Sequence, residues 1–310
     1  MNVKPSLDEL FERRACFPDF EPQERLSRLV GLDEQKERLA KVLGLLVNPF
    51  GLQEWAEKHH PQARAALDTV LRRPPLAVLA GDVGSGKTEL AETIGDAVAR
   101  QEGIDITLYP LSLATRGQGR VGEMTQLVSA AFDYTIEAAE KLKNTSGKAR
   151  GAVLLLIDEA DALAQSRENT QMHHEDRAGV NAFIRGIDRI ANQKLPAAVL
   201  MCTNRLKALD PAVQRRAAEV LTFGRPDDAQ RRYLLSSKLE GLGLSAPVIE
   251  ELVKLTGPRE ANAPGFTFSD INQRLIPSII LAAYPHASVA ARTALLTAQA
   301  MSPTPAFQDR

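Results

Sequence analysis

The chain has few residues of the kinds that hold a protein together through covalent bonds or metal ions. Its 310 residues include two cysteines, Cys16 and Cys202, and five histidines. Two cysteines are too few for the disulfide framework of a secreted domain, so we expect reduced thiols and a cytoplasmic protein. No spacing of cysteine and histidine matches a zinc site, and the adjacent histidines at 59–60 and 173–174 are typical of solvated loops.

Long apolar runs and an excess of charge of one sign are also missing. The longest apolar runs, such as residues 152–157 and 279–283, are far shorter than the ~20 residues that cross a bilayer. Residues 1–10 contain Asp8 and Glu9 and no long apolar segment, so we expect neither a signal peptide nor a membrane. The formal net charge is −1, so the chain lacks the excess positive charge that is typical of a protein whose main function is to bind nucleic acid.

Short apolar runs alternate with amphipathic stretches through the middle of the chain. This alternation predicts an α/β fold in which a parallel five-stranded sheet lies between helices. The predicted strands are residues 76–80, 104–112, 152–158, 197–204 and 219–223, and the predicted helices are residues 87–100, 124–143, 177–193 and 211–217.

Three segments of different character follow one another along the chain. Residues 1–27 contain Pro5, Pro18 and Pro22, which predicts an irregular surface arm. Residues 28–226, which begin with a helical pattern over 29–47, form the predicted large α/β domain, and residues 227–310 form a small helical domain. Its predicted helices are residues 227–241, 246–255, 268–284 and 288–301, and Pro277 should kink or break the third.

A phosphate-binding loop is predicted at residues 81–88, which read Gly-Asp-Val-Gly-Ser-Gly-Lys-Thr. A strand enters the motif and a helix leaves it, which makes a chance glycine-rich turn a poor alternative. Lys87 is expected to reach the β- and γ-phosphates of ATP, and the Thr88 hydroxyl to bind Mg²⁺. The nucleotide-binding residues predicted here are Asp82, Val83, Gly84, Ser85, Gly86, Lys87, Thr88 and Glu89.

Two acidic residues follow the most apolar strand. Residues 153–161 read Val-Leu-Leu-Leu-Ile-Asp-Glu-Ala-Asp, which delivers Asp158 and Glu159 to the carboxyl edge of the sheet. Asp158 is the predicted magnesium ligand and Glu159 the predicted base that polarises the attacking water. Acids also stabilise helix N-termini, but beside Lys87 and Thr88 the catalytic interpretation is stronger.

A second glycine motif, residues 117–122, has the spacing of a dinucleotide-binding loop. That fold needs an acidic residue about 20 positions later, at the end of a strand. The corresponding region, near Glu140, lies in a predicted helix, so we interpret the motif as a flexible glycine loop and do not expect a nicotinamide enzyme.

Together these motifs resemble the AAA+ ATPases, over residues 29–284. The resemblance implies a phosphate-loop core with a helical lid, in which the backbone of Gly31 and Leu32 lies near the adenine. It also implies that Asn204 helps Glu159 to position water. Arg216, or else Arg215, would be an arginine finger offered to a neighbouring subunit, which requires a homo-oligomeric ring, most often a hexamer.

Residues 216–218 and 223–226 are similar to the finger segment of the pachytene-checkpoint ATPases within that family. The resemblance implies an enzyme that threads a HORMA-domain protein through its pore. The short bacterial members switch off anti-phage signalling complexes that contain a nucleotidyltransferase. By the same resemblance the pore loop would include Gly119, Arg120 and Val121, although relatives have an aromatic residue there. The family's second sensor arginine is missing, and Arg274 is its substitute.

Two other functions remain open at this stage. A motor or loader acting on another protein or nucleic-acid complex could use the same core, but it predicts a basic domain that the composition lacks. A scaffold that binds ATP without hydrolysing it would not need Glu159. The sequence therefore favours an ATP-driven protein remodeller.

Overall fold

A six-stranded sheet forms the centre of the protein in the computed structural model, which describes residues 6–11, 13–113, 123–144, 147–161, 174–205, 209–260 and 263–306. The strands are β1 (Ala15–Phe17), β2 (Leu76–Gly81), β3 (Asp105–Ser112), β4 (Gly151–Asp158), β5 (Ala197–Thr203) and β6 (Glu219–Phe223). Their spatial order is β1-β3-β4-β5-β2-β6. All pairs are parallel except β1 with β3.

Helices cover both faces of this sheet. They are α1 (Leu7–Leu10), α2 (Phe20–Ser27), α3 (Asp33–Val47), α4 (Pro49–His59), α5 (Arg64–Leu71), α6 (Lys87–Glu102), α7 (Glu123–Leu142), α8 (His174–Gln193) and α9 (Pro211–Gln214). Successive residues of β4 point to opposite faces, so Leu155 packs with α7 and α8 while Leu154 packs with α3 and α6. A strand buried on both faces must be apolar throughout, which explains the continuous apolar run in β4.

The five predicted strands are all present, each within one residue of its predicted bounds. The prediction of a five-stranded sheet is nevertheless wrong, because β1 adds an antiparallel edge strand beside β3. The prediction of an irregular arm over residues 1–27 is wrong for the same reason. A three-residue strand close to two prolines is too short to give a periodic pattern in the sequence.

Aromatic side chains attach the arm to the core. Phe17 is buried against Gly95 of α6, where an added Cβ atom would lie 2.3 Å from the ring. Phe11 stacks on Tyr109 of β3 with ring centroids 4.8 Å apart. The backbone N–H of Asp19 donates to Asp96 Oδ1 at 2.8 Å. The arm is thus part of the folded core.

The carboxyl-terminal part of the chain is helical and has its own apolar core. Its elements are α10 (Asp228–Lys238), α11 (Ala246–Thr256), a π-helical turn (Asp270–Leu275), α12 (Ile276–Leu281) and α13 (Ala291–Ala300). We call residues 227–306 the lid; its core includes Leu235, Leu252, Phe266 and Ile271. Pro277 follows the π turn, where Ile276 N–H donates to Ile271 O instead of the usual carbonyl four residues back. The domain bounds at residues 226 and 227 stay a prediction.

Helices α4 and α5 were not predicted from the sequence. Neither they nor the other helices in the described ranges are long and apolar enough to cross a membrane.

We expect the arm to contribute to global stability. Phe17→Ala should lower the free energy of unfolding by about 3 kcal/mol, because it leaves a cavity against Gly95. The matched control is Phe20→Ala in the same arm, since Phe20 is 75% exposed and its loss should cost about 0.5 kcal/mol or less. Urea unfolding followed by circular dichroism measures both. Equal losses for the two variants would contradict a structural role for the arm.

Candidate active site

The phosphate loop connects β2 to α6 at the carboxyl edge of the sheet. Gly84 and Gly86 have φ values of +69° and +92°, left-handed conformations that glycine adopts without strain. A Cβ atom on Gly84 would lie 2.8 Å from Cβ of Ser269 in the lid. The glycines therefore allow both the curl of the loop and its close approach to the lid.

Lys87 is almost completely buried beneath this loop. Its Nζ donates to the carbonyl oxygens of Asp82 at 2.7 Å and Gly81 at 3.1 Å. Burial lowers the pKa of Lys87, and nearby acidic groups, Asp158 among them, oppose the shift. An anionic phosphate in the cavity would stabilise this ammonium further.

Thr88 and Asp158 meet at the other side of the cavity. The Thr88 hydroxyl donates to Asp158 Oδ1 at 3.3 Å. Burial raises the pKa of the Asp158 carboxyl, and hydrogen bonds from the Glu159 backbone and the Thr88 hydroxyl oppose the shift. A hydroxyl and a carboxylate oxygen side by side are the ligands that hard divalent cations prefer.

Glu159 and Asn204 border the same space, held by neighbouring side chains. Glu159 has a φ of +53°, and its Oε2 accepts from Ser112 Oγ at 3.1 Å. Asp161 accepts from the Thr203 hydroxyl at 2.8 Å, from Asn204 N–H at 2.7 Å and from Asn204 Nδ2 at 3.4 Å. The Asp161 carboxylate thus fixes the position of Asn204, the residue that follows β5. Our sequence analysis missed Asp161, although it lies three residues after Asp158 in the same acidic motif.

One cavity of about 590 Å³ lies between the sheet edge and the lid, and it is lined by Lys87, Thr88, Asp158, Glu159 and Asn204. That volume is typical of a small-molecule site. The lid contributes Phe268, Ser269, Asn272 and Gln273. A second cavity, of about 470 Å³, opens beside the start of β3 and contains none of the predicted site residues.

Gly31 and Leu32 lie where the lid, the chain before α3 and the phosphate loop meet. Gln230 Nε2 of the lid donates to Gly31 O at 3.0 Å, and Leu32 is buried beside Gly86. Neither residue lines the described cavity, which Leu29 borders instead. Glu89 does line it, but its carboxylate is paired with Arg25 of α2 at 2.8 Å. No pattern in the sequence predicts this contact from the arm.

The structure does not place Arg274 at the cavity. Its guanidinium donates to Asp270 Oδ1 at 2.6 Å, one turn earlier, and it is not among the lining residues. Asn272 and Gln273 of the same π turn line the cavity instead. The role of Arg274 in nucleotide binding stays a prediction.

The two candidate finger arginines differ in their contacts. Arg216 forms a two-bonded ion pair with Asp188 of α8, at 2.7 and 2.9 Å, and its side chain is 30% exposed. Arg215 is exposed. Neither lines the cavity of its own chain. The predicted pore-loop residues Gly119, Arg120 and Val121 lie outside the described residues.

Comparison with known proteins gives consistent matches. Residues 77–225 match the ATPase family associated with various cellular activities (AAA). The chain is 84% identical, over the full length of both proteins, to CD-NTase-associated protein 6 of Escherichia coli strain MS 115-1. It is also similar to a chain in the solved E. coli MS115-1 HORMA:CdnC:Trip13 complex, with a TM-score of 0.91 and 82% identity over 99% of this chain and 100% of that one. The solved Trip13 from Rhizobiales has a TM-score of 0.74 and 56% identity over 95% of this chain and 99% of that one.

We predict that Asp161 acts on turnover through Asn204. Asp161→Ala should lower kcat for ATP hydrolysis by about 10- to 100-fold, because small displacements of a water-positioning group are costly. KM for ATP should change by less than about threefold, since Asp161 does not line the cavity. Asp133→Ala, which breaks a surface ion pair with Arg189, is the control. Steady-state phosphate release gives both constants, and an unchanged kcat would contradict the role.

Proposed function

The chain belongs to the ATPase family associated with various cellular activities (AAA), and on that premise we propose that it is a ring-forming ATPase that remodels a HORMA-domain protein. The observation that carries the proposal is the likeness to a chain of a solved HORMA:CdnC:Trip13 complex. At 82% identity over 99% of this chain, the two proteins share most of their side chains. We infer the same class of partner here, a HORMA protein bound to a nucleotidyltransferase.

We propose a catalytic scheme that the positions of the side chains support. Lys87 would bind the β- and γ-phosphates once it leaves the loop carbonyls that it now contacts. Thr88 and Asp158 would hold Mg²⁺, and their adjacent oxygens fit that role. The bound ion would neutralise charge on the phosphates. Glu159 would take the proton of the attacking water, which Asn204 helps to orient.

We propose that the finger acts between subunits. Arg216 is held at the protein surface by Asp188 and does not reach its own cavity. A neighbouring subunit could therefore receive this guanidinium at its γ-phosphate, which requires a ring, and we propose a hexamer. The pulling step, with Gly119, Arg120 and Val121 gripping the HORMA chain in the pore, rests on the family resemblance. We place the protein in the cytoplasm, where ATP and reduced thiols such as Cys202 occur.

A substrate trap tests the remodelling function. Glu159→Gln should bind ATP but hydrolyse it at least about 100-fold more slowly, so that a HORMA protein stays bound. Pull-down with a purified HORMA protein from the same genome, with and without ATP, measures this. Lys87→Ala is the control, because it should bind neither ATP nor the substrate. Capture of DNA in place of the HORMA protein would favour the alternative, a nucleic-acid motor or loader.

Subunit mixing tests the finger. Arg216→Ala and Lys87→Ala should each lower hydrolysis by about 10³-fold, the first by removing the finger and the second by removing the nucleotide. Mixed rings should regain activity, because an intact phosphate loop then faces an intact Arg216 of its neighbour. Arg215→Ala mixed in the same way shows whether that residue has the role. A mixture as inactive as its components would contradict action between subunits.

A further inference from the structure

The phosphate loop carries a carboxylate for which the catalytic scheme has no use. Asp82 Oδ2 accepts from Arg225 Nε at 2.6 Å, and its Oδ1 accepts from the Val83 backbone N–H at 2.8 Å. Both partners of the ion pair are mostly buried, with 18% of the Asp82 side chain and 14% of the Arg225 side chain exposed. Neither residue lines the nucleotide cavity, so the pair lies behind the loop.

The negative charge of Asp82 is unfavourable beside a site that binds a polyanion, because it repels the phosphates. Asp82 is the second residue of the loop and lies close to the site, since its backbone carbonyl accepts from Lys87 Nζ at 2.7 Å. An unpaired carboxylate there would repel the phosphates across a poorly screened distance. The positive charge of Arg225 cancels this repulsion.

Arg225 also connects the loop to the lid. Its Nη1 donates to Gly265 O, directly before Phe266 in the lid core, in a hydrogen bond that spans from the end of the sheet to the lid. The backbone adds a second link, from Ser269 N–H to Gly84 O at 3.1 Å. The guanidinium's third nitrogen, Nη2, is buried and has no hydrogen-bond partner among the described residues. Burial of an unpaired nitrogen costs free energy, which the two hydrogen bonds of Arg225 must offset.

We propose that Arg225 is a positioning residue for the nucleotide: it neutralises Asp82 behind the phosphate loop and fixes that loop to the lid through Gly265. The inference rests on the proposed use of the loop for ATP. It adds a requirement on this chain, that Asp82 and Arg225 be present together or absent together. The planar fork of arginine suits both bonds at once, which a lysine could not make.

A double-mutant cycle on ATP affinity tests the charge. Arg225→Met should weaken binding of a fluorescent ATP analogue about tenfold, and binding of the ADP analogue less, because repulsion grows with phosphate charge. Asp82→Asn with Arg225→Met should restore ATP affinity to within about threefold of wild type. Arg232→Met is the control, since Arg232 also pairs with a carboxylate, that of Glu250 on the lid, but lies outside the cavity lining. A double variant that binds ATP as weakly as Arg225→Met alone would overturn the proposal.

Arg225→Lys tests the link to the lid and remains informative if Arg225→Met does not fold. It retains the charge, so KM for ATP should stay within about threefold of wild type, while kcat falls because one ammonium cannot bridge Asp82 and Gly265. A rise in KM with unchanged kcat would overturn the assignment. Binding of the fluorescent ATP analogue is measured in the same experiment for the wild type, which should bind it, and for Lys87→Ala, which should not. If the wild type does not bind, the proposed function fails; if only the Arg225 results differ, this inference alone fails.

Discussion

The structure depends on how negative charge is balanced around the phosphate loop. The loop and its helix must bind a polyanion, yet they carry three carboxylates of their own, those of Asp82, Glu89 and Glu92. Arg25 pairs with Glu89 and Glu92, and Arg225 pairs with Asp82, so that each cation comes from a segment distant in sequence. Arg25 lies in the amino-terminal arm and Arg225 at the junction with the lid. Folding of the whole chain is therefore what makes the loop compatible with phosphate.

This balance gives the arm and the lid a role beyond covering the core. The arm adds β1 to the sheet, packs Phe17 against α6 and brings Arg25 to the beginning of the same helix. The lid contacts the loop at Gly84 and reaches Gly31 through Gln230. A displacement of the lid would therefore change both the loop and the segment before α3. That mechanical connection is what an ATPase needs if hydrolysis is to move its domains.

The sequence predicted the parts of the fold that repeat a strong local pattern. Strands β2 to β6 are apolar runs between helices, and the motifs containing Lys87 and Asp158 lie at strand ends, so their meeting at one edge follows from parallel pairing. The sequence could not predict contacts between single charged side chains that lie far apart along the chain. Examples are Arg25 with Glu89 and Arg225 with Asp82. The π turn at Asp270–Leu275 could also not be predicted, because local periodicity carries no information about such irregular turns.

The charges that line the cavity bear on the proposed action between subunits. Among the described lining residues, Lys87 is the one cation, beside four carboxylates, those of Glu89, Glu92, Asp158 and Glu159. Arg25 compensates two of them from outside, and a divalent cation held by Thr88 and Asp158 would compensate the phosphates in part. Within the described part of the lining, the γ-phosphate would meet no cation besides Lys87, because Arg216 is held by Asp188 and does not line the cavity. On the role proposed for Arg216, its ion pair with Asp188 would hold the guanidinium ready for another copy of the chain, so that side-chain entropy is lost before assembly. A subunit would then supply the charge that its neighbour's site lacks, which would couple hydrolysis to assembly through electrostatics.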